Sequence, residues 1–223
     1  MERKDIKSLY NKELEEFLVS LGEKPFRARQ IYAWLHVKHA VSFEEMTDLS
    51  KQLKEKLTNA CRITVLKQER MQRSKIDGTR KYLFALEDGN MVESVWMRYR
   101  HGNSVCVSSQ AGCRMGCRFC ASALGGLVRN LTAGEMLEQV YRIQEDTGER
   151  VSHVVVMGTG EPLDNYDNFL RFVRLLSDEK GMNISQRNIT ASTCGIVPGI
   201  RRLAEEGLQI TLALSLHAPA QEK

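Results

Sequence analysis

Three cysteines, Cys113, Cys117 and Cys120, fall within the short stretch "QAGCRMGCRFCAS", in the spacing C-x3-C-x2-C. Clustered thiolates are ligands for zinc or for iron–sulfur clusters. A tetrahedral zinc site or an ordinary cubane cluster takes four protein ligands, so the trio raises the question of the fourth. Zinc would need Cys106 or His101 to complete its shell. Three inert buried thiols would sit oddly in a loop that also holds Gly112 and Gly116. A 4Fe-4S cluster on three thiolates accounts for the count, because one iron stays free to bind a group that is not protein.

A second candidate follows in "VVVMGTGEP", where Gly158, Gly160, Glu161 and Pro162 end an apolar run. Bare backbone at a strand end plus one carboxylate suits a cationic ammonium group, which needs acceptors and a counter-charge. Taken alone, the same pattern fits a plain strand-to-helix turn.

The elements around these residues change character along the chain. The first sixty residues read as helices. Leu14, Phe17, Leu18 and Leu21 recur at helical spacing after Asn11, a candidate cap, and Pro25 suits the first turn of a second helix bearing Ala28, Ile31, Trp34 and Leu35. A third helix starts after Ser50. From Arg62 to Tyr99 the period becomes two, with Asp77-Gly78 and Asp88-Gly89 as hairpin signals, which predicts antiparallel strands over 62–69, 80–86 and 91–98. From Asn103 strands alternate with helices: "SVCVSS", a helix capped by Thr132 and Glu135, "HVVVMG", a helix over 165–178, "RNITAST", a helix over 198–206, and "LQITLALSL". Such alternation implies parallel βαβ units with functional groups at the C-terminal strand ends. Four parallel strands neither close a barrel nor cover their own edge, so the expectation is a half-barrel with an open edge or a fragment of a longer chain.

Composition narrows the class. The 223 residues can bury one substantial core, with one or two domains. No window approaches the roughly 18 apolar residues of a membrane span, and the charged N-terminus lacks a secretory apolar region. The expected location is the cytoplasm, without membrane contact. There six cysteines argue for metal or redox chemistry over disulfides. A net charge of +4 does not announce a nucleic-acid partner. Its distribution says more: Arg62, Lys67, Arg70, Arg73, Lys75, Arg80 and Lys81 face only Glu69 and Asp77 over that stretch, an excess that could track phosphates or simply line a solvated sheet.

The cysteine spacing, Phe119 before the last cysteine, and the position after the first strand of a βα series resemble the radical S-adenosylmethionine superfamily. "MGTGEP" is similar to that superfamily's GGEP motif. With "NSVCVSSQAGCRMGCRFCASALGGLVRNLTAGEMLEQV", "ITASTCGIVPGI", "ALSLHAP" and "GEKPFRARQIYAWL", the chain resembles adenine RNA methyltransferases of the RlmN/Cfr class. The resemblance implies a partial (β/α) radical-SAM barrel with about four of six strands, over 102–223, preceded by a helical RNA-contacting module over 1–60 and an antiparallel segment over 61–101.

It also implies chemistry. Family members methylate carbon 2 of an adenine in 23S rRNA, and of an adenine in some tRNAs; a second branch methylates carbon 8. Carbon 2 is the expectation because that branch is commoner. The implied cofactors are a 4Fe-4S cluster on Cys113, Cys117 and Cys120 and S-adenosyl-L-methionine on its open iron, with a flavodoxin-type electron donor and a monomeric enzyme. Gly160 and Glu161 would hold the methionine end of the cofactor, while Ser192, Ser215, Leu216 and His217 line its other side. Glu93 matches the general base, and Cys106 the thiol that resolves an enzyme–RNA adduct. Read without the family, Glu93 is a solvated strand residue, Cys106 an inert buried thiol and His217 a core histidine. Cys194 stands where serine is expected, and with Cys61 it reads as a small apolar residue. The family's methyl-accepting cysteine and a cofactor-binding asparagine belong to a segment beyond "LHAPAQEK", so the expectation is a longer native product and a polypeptide that does not complete methyl transfer by itself.

Overall fold

The computed structural model describes residues 3–216. Its first part is a helical module closed by a two-stranded parallel pairing of β1 (Lys4–Asp5) with β2 (Cys61–Arg62). Between them run α1 (Asn11–Ser20), α2 (Arg27–His36) and α3 (Lys51–Ala60). Asn11 is the first helical residue and not the cap: the amide of Tyr10 donates to the Glu13 carboxylate at 2.8 Å, while Asn11 donates to Glu15. Ser50 does cap α3, its Oγ accepting from Leu53 N at 3.2 Å. Leu14, Leu18, Ala28, Ile31, Leu35, Leu53 and Leu57 bury the shared core, as the helical spacing predicts.

Three antiparallel strands follow, β3 (Lys67–Arg73), β4 (Arg80–Ala85) and β5 (Met91–Tyr99). The first begins at Lys67, five residues later than the period-two pattern suggests. Side chains occupy the preceding backbone: Thr64 N donates to Asp5 at 3.4 Å and Leu66 N to Glu138 at 3.2 Å, so those amides are spent before a ladder can use them.

Then come β6 (Gly102–Val107), a hairpin of β7 (Gln110–Gly112) and β8 (Leu127–Asn130), α4 (Ala133–Thr147), β9 (Val151–Val156), α5 (Tyr166–Leu176), β10 (Ile189–Thr193), α6 (Val197–Glu205) and β11 (Thr211–Leu214). The Thr132–Glu135 capping box opens α4, each side chain accepting from the other's backbone N–H. β6, β9, β10 and β11 are the expected parallel strands. They continue without a break into the antiparallel ones, in one sheet of order β11-β10-β9-β6-β5-β4-β3.

That sheet has two unlike faces. One is dry: Tyr82, Phe84, Trp96, Val105, Val107, Val154 and Val156 lie on it, in one core with Met136, Leu137 and Val140 of α4. The other is open. A single row of paired residues crosses all seven strands on it: Gln72, Lys81, Val95, Cys106, Val155, Thr190 and Thr211. Period-two alternation places Glu93, two residues from Val95, and Ser192, two from Thr190, on this same open face.

Buried polar contacts fasten the helical module to α4. Lys7 pairs with Glu138 of α4 at 2.5 Å, the Tyr141 hydroxyl meets His36 Nδ1 at 2.8 Å, and Arg142 donates to the carbonyl of His39 at 2.7 Å. Among the described residues no helix is long and apolar enough to cross a membrane.

Candidate active site

The candidate site lies at the C-terminal ends of β6, β9 and β10, as parallel topology demands. The β7–β8 hairpin leaves β6 and encloses the cysteine loop. Cys113 N donates to the carbonyl of Gly126 at 2.9 Å, pinning the two ends of the loop together, and Cys120 N donates to Cys117 O at 3.0 Å in a tight turn. A side chain at Gly112, whose φ is +75°, would collide with that Gly126 carbonyl. The loop thus closes only over glycine.

The thiols of Cys113, Cys117 and Cys120 share the wall of one cavity with Gly160, Glu161, Ser192, Cys194 and Ser215. Burial pushes the Cys113 thiol above its ordinary value. Gly160, at φ +108°, lets the β9 end pass against Gln110: a Cβ there would lie 2.6 Å from Gln110 Cβ. Glu161 is 4 % exposed. Its carboxylate accepts from Leu163 N at 3.1 Å and Cys194 N at 2.8 Å, which fixes its aim.

Three residues that the sequence motifs did not single out hold this geometry. Gln110 accepts from Glu161 N at 2.9 Å and donates to Asn130 and Asp164. The Asn165 amide donates to both Ser109 O and Leu131 O at 2.8 Å, stitching the two feet of the hairpin. Arg114, inside the cysteine loop, forks onto Asp164. Gln110 and Asn165 are 0 % and 2 % exposed, and polar residues in so buried a place carry specific partners. The "EPLDN" run held the only sequence hint.

Other expected site residues fall at varying distances from the cavity. Ser192 and Ser215 meet through their hydroxyls at 2.9 Å, tying β10 to β11 at the rim. Leu216 is 68 % exposed and does not line the cavity, and His217 lies outside the described residues. Cys106 and Glu93 lie on the open face of the sheet and are not among the residues lining the cavity. Burial raises the Cys106 thiol. Glu93 forms an ion pair with Lys81 at 2.6 Å, both side chains about half exposed, and its carbonyl accepts from Ser108 Oγ at 2.7 Å.

Cys61 is the small buried residue expected, 1 % exposed, and burial pushes its thiol up to about 12. Cys194 is not. It lines the cavity, and partial enclosure together with the neighbouring Glu161 carboxylate pushes its thiol up to about 12. The local sequence could not show this, because Glu161 arrives from another strand end.

Among the described residues no three His, Cys, Asp or Glu side chains converge on a single-ion site. Three cysteines around one cavity are the donor set of an iron–sulfur cluster, and the Glu161 carboxylate and the β9-end backbone in the same cavity wall fit a cationic amino-acid group.

Comparison with known proteins agrees with both parts of the chain. Residues 4–63 match the Ribosomal RNA large subunit methyltransferase N-terminal domain, and residues 107–223 match the Radical SAM superfamily. A probable dual-specificity RNA methyltransferase RlmN of Lachnoclostridium phytofermentans is 63 % identical over 222 residues, which is 100 % of this chain and 62 % of that protein. The same-named protein of Geobacillus thermodenitrificans is 56 % identical, over 97 % of this chain and 60 % of its own length. The crystal structure of a radical SAM methyltransferase from Sphaerobacter thermophilus superimposes with a TM-score of 0.91 at 45 % identity, covering 97 % of this chain and 64 % of that one. The chain thus spans about 62 % of the length of the first of these relatives. With a helical module that matches the ribosomal RNA methyltransferase N-terminal domain at one end and a three-cysteine pocket at the parallel strand ends, the chain belongs to the radical SAM superfamily.

Proposed function

We propose that this chain carries the cofactor site and part of the RNA site of a methyltransferase acting on carbon 2 of an adenine in 23S rRNA, and in tRNA as the dual-specificity name of its relatives suggests. The observation that supports this most is the shared cavity, lined by the three cysteines and by the backbone-held Glu161 carboxylate.

Each residue then has a task that its surroundings allow. Cys113, Cys117 and Cys120 would hold a 4Fe-4S cluster, with no fourth protein ligand. Glu161 and the Gly160 backbone would receive the ammonium group of S-adenosylmethionine, and the Ser192–Ser215 rim would border its far side. When bound, these groups supply a one-electron reduction that makes a hydrogen-abstracting radical. That chemistry is needed because the amidine-type carbon of adenine is electrophilic and has no lone pair with which to attack a sulfonium methyl.

Glu93 stands on the open face as the base that takes the ring proton, and Lys81 pairs with it there. Cys106 stands on the same face, where its burial keeps it a protonated thiol until an adduct must be resolved. Methyl transfer itself is proposed for the full-length family architecture, with a methyl-carrying cysteine outside this set.

The test is anaerobic reconstitution of this chain, followed by iron and sulfide analysis and by EPR of the reduced cluster with and without S-adenosylmethionine. About four irons per chain and a cofactor-induced change in the signal are expected. One bound zinc, or a cluster indifferent to the cofactor, refutes the reading.

A further inference from the structure

The open face of the sheet does not stop at the candidate pocket. It runs on across β5, β4 and β3 to an exposed edge. Two adjoining rows cross this extension in register, Glu93–Leu83–Arg70 and Val95–Lys81–Gln72, and a third sets Met91 beside Ala85 and Lys67. The floor is apolar: Leu83, Val95 and Ala85 are half-buried and Met91 is 48 % exposed. Cations stand along it. Arg70 has no ion-pair partner among the described residues, whereas Lys67 and Lys81 have only the exposed carboxylates of Glu69 and Glu93.

The seven cations of this stretch are therefore not equivalent. Arg62 is spent on Glu87 and Arg80 on Asp146. Arg73 belongs to the opposite face, in register with Arg80 and Trp96, and Lys75 to the turn beyond it. Only Lys67, Arg70 and Lys81 share the face that leads to Glu93. Exposed ion pairs such as Lys81–Glu93 contribute little to stability, so a phosphate can replace the carboxylate without large cost.

An enzyme that does chemistry on a base must receive it unpaired, and single strands bind where cations follow the backbone beside an apolar floor for the bases. We infer that the open face of β3–β5 seats the single-stranded RNA flanking the target adenine, with Arg70 and Lys81 on its phosphates. Lys81 exchanges Glu93 for a phosphate as RNA binds, which frees the carboxylate at the moment the base arrives. This rests on the RNA-methyltransferase reading and adds to it where the strand lies and what releases the base.

The 223-residue chain can test this by anisotropy with a labelled single-stranded RNA of about 16 nucleotides across a salt series. Arg70→Gln and Lys81→Gln should each lower the slope of log affinity against log salt by about 0.7, and together by about 1.4. Glu93→Gln should tighten binding severalfold by freeing Lys81. Arg73→Gln and Arg201→Gln, the latter on α6, should leave the slope unchanged, and circular dichroism checks that every variant is folded. Slopes unmoved by the first pair, or lowered equally by the second, overturn the seat. A wild-type chain that binds no RNA overturns it too. The outcome is separable from the catalytic reading: a cluster that ignores S-adenosylmethionine while Arg70→Gln and Lys81→Gln behave as expected leaves the seat standing.

Discussion

Lys7 Nζ lies 2.5 Å from Glu138 Oε1, with neither side chain exposed to solvent. The ammonium also reaches the carbonyl of Ala40, and the second oxygen of Glu138 accepts from Leu66 N and pairs with Arg142. One carboxylate therefore joins the N-terminal segment, the entry to β3 and helix α4. A buried charge left without its partner costs about 3–5 kcal/mol. Lys7→Met should destabilise the chain by that order, measured as a lowered urea midpoint at neutral pH. Adding Glu138→Leu should restore only part of the loss, because Leu66 N loses its acceptor and Arg142 its carboxylate partner. An unchanged midpoint in Lys7→Met would show the pair to be dispensable.

His36 sits in the same layer, fully buried, with Nδ1 on the Tyr141 hydroxyl and Nε2 without a partner among the described residues. Burial, with Lys7 and His39 nearby, pushes its pKa down to about 3 from an ordinary 6.5. The unfolded chain takes up a proton below 6.5 that the folded chain refuses, so stability falls as pH drops through that window, by about 1.4 kcal/mol per unit. Urea midpoints between pH 7 and 5 should show that slope, and His36→Phe should lose most of it. Burial lowers His39 as well, so a residual slope of the same sign is expected in the variant. Identical pH profiles for the two proteins would show that His36 is not the source.

Glu161 offers a separation of cofactor binding from cluster binding. Its oxygens accept backbone N–H groups from Leu163 and Cys194, so in Glu161→Gln one of those donors faces an amide N–H. The lost hydrogen bond costs about 1–3 kcal/mol in stability. Iron content should remain, since the thiols are untouched, while the cofactor-induced EPR change should vanish with the counter-charge. Retention of that change at wild-type cofactor concentration would remove Glu161 from the site.

What could be read in the sequence divides by the range of the interactions that decide it. The Thr132–Glu135 box and the Asp77-Gly78 and Asp88-Gly89 turns are local, with Gly78 and Gly89 at φ +76° and +84°, and they stand where the pattern puts them. The late start of β3 is not local: Asp5 and Glu138 take the amides of Thr64 and Leu66 from far along the chain. Lys7 gives no sign of burial, because its partner lies 131 residues away. The cysteine trio is legible by spacing, yet Gln110 and Asn165, which hold the hairpin over it, are ordinary polar residues until the fold buries them.

Cys194 is the sharpest test of the open-iron idea, because it puts a fourth thiol in the wall of the same cavity. Direct contact with Glu161 sets it apart from the trio. Its backbone N–H is committed to Glu161, and its thiol is held protonated, up to about 12, by partial enclosure and by that same carboxylate. A thiol that donates to a carboxylate is a poor metal ligand, since the thiolate is the binding form. Serine can make the same donation with little change of shape. Cys194→Ser should therefore keep about four irons per chain and the response to S-adenosylmethionine, whereas Cys117→Ala should lose the cluster. If Cys194→Ser instead sheds iron, the fourth corner belongs to the protein and no iron is left open for the cofactor.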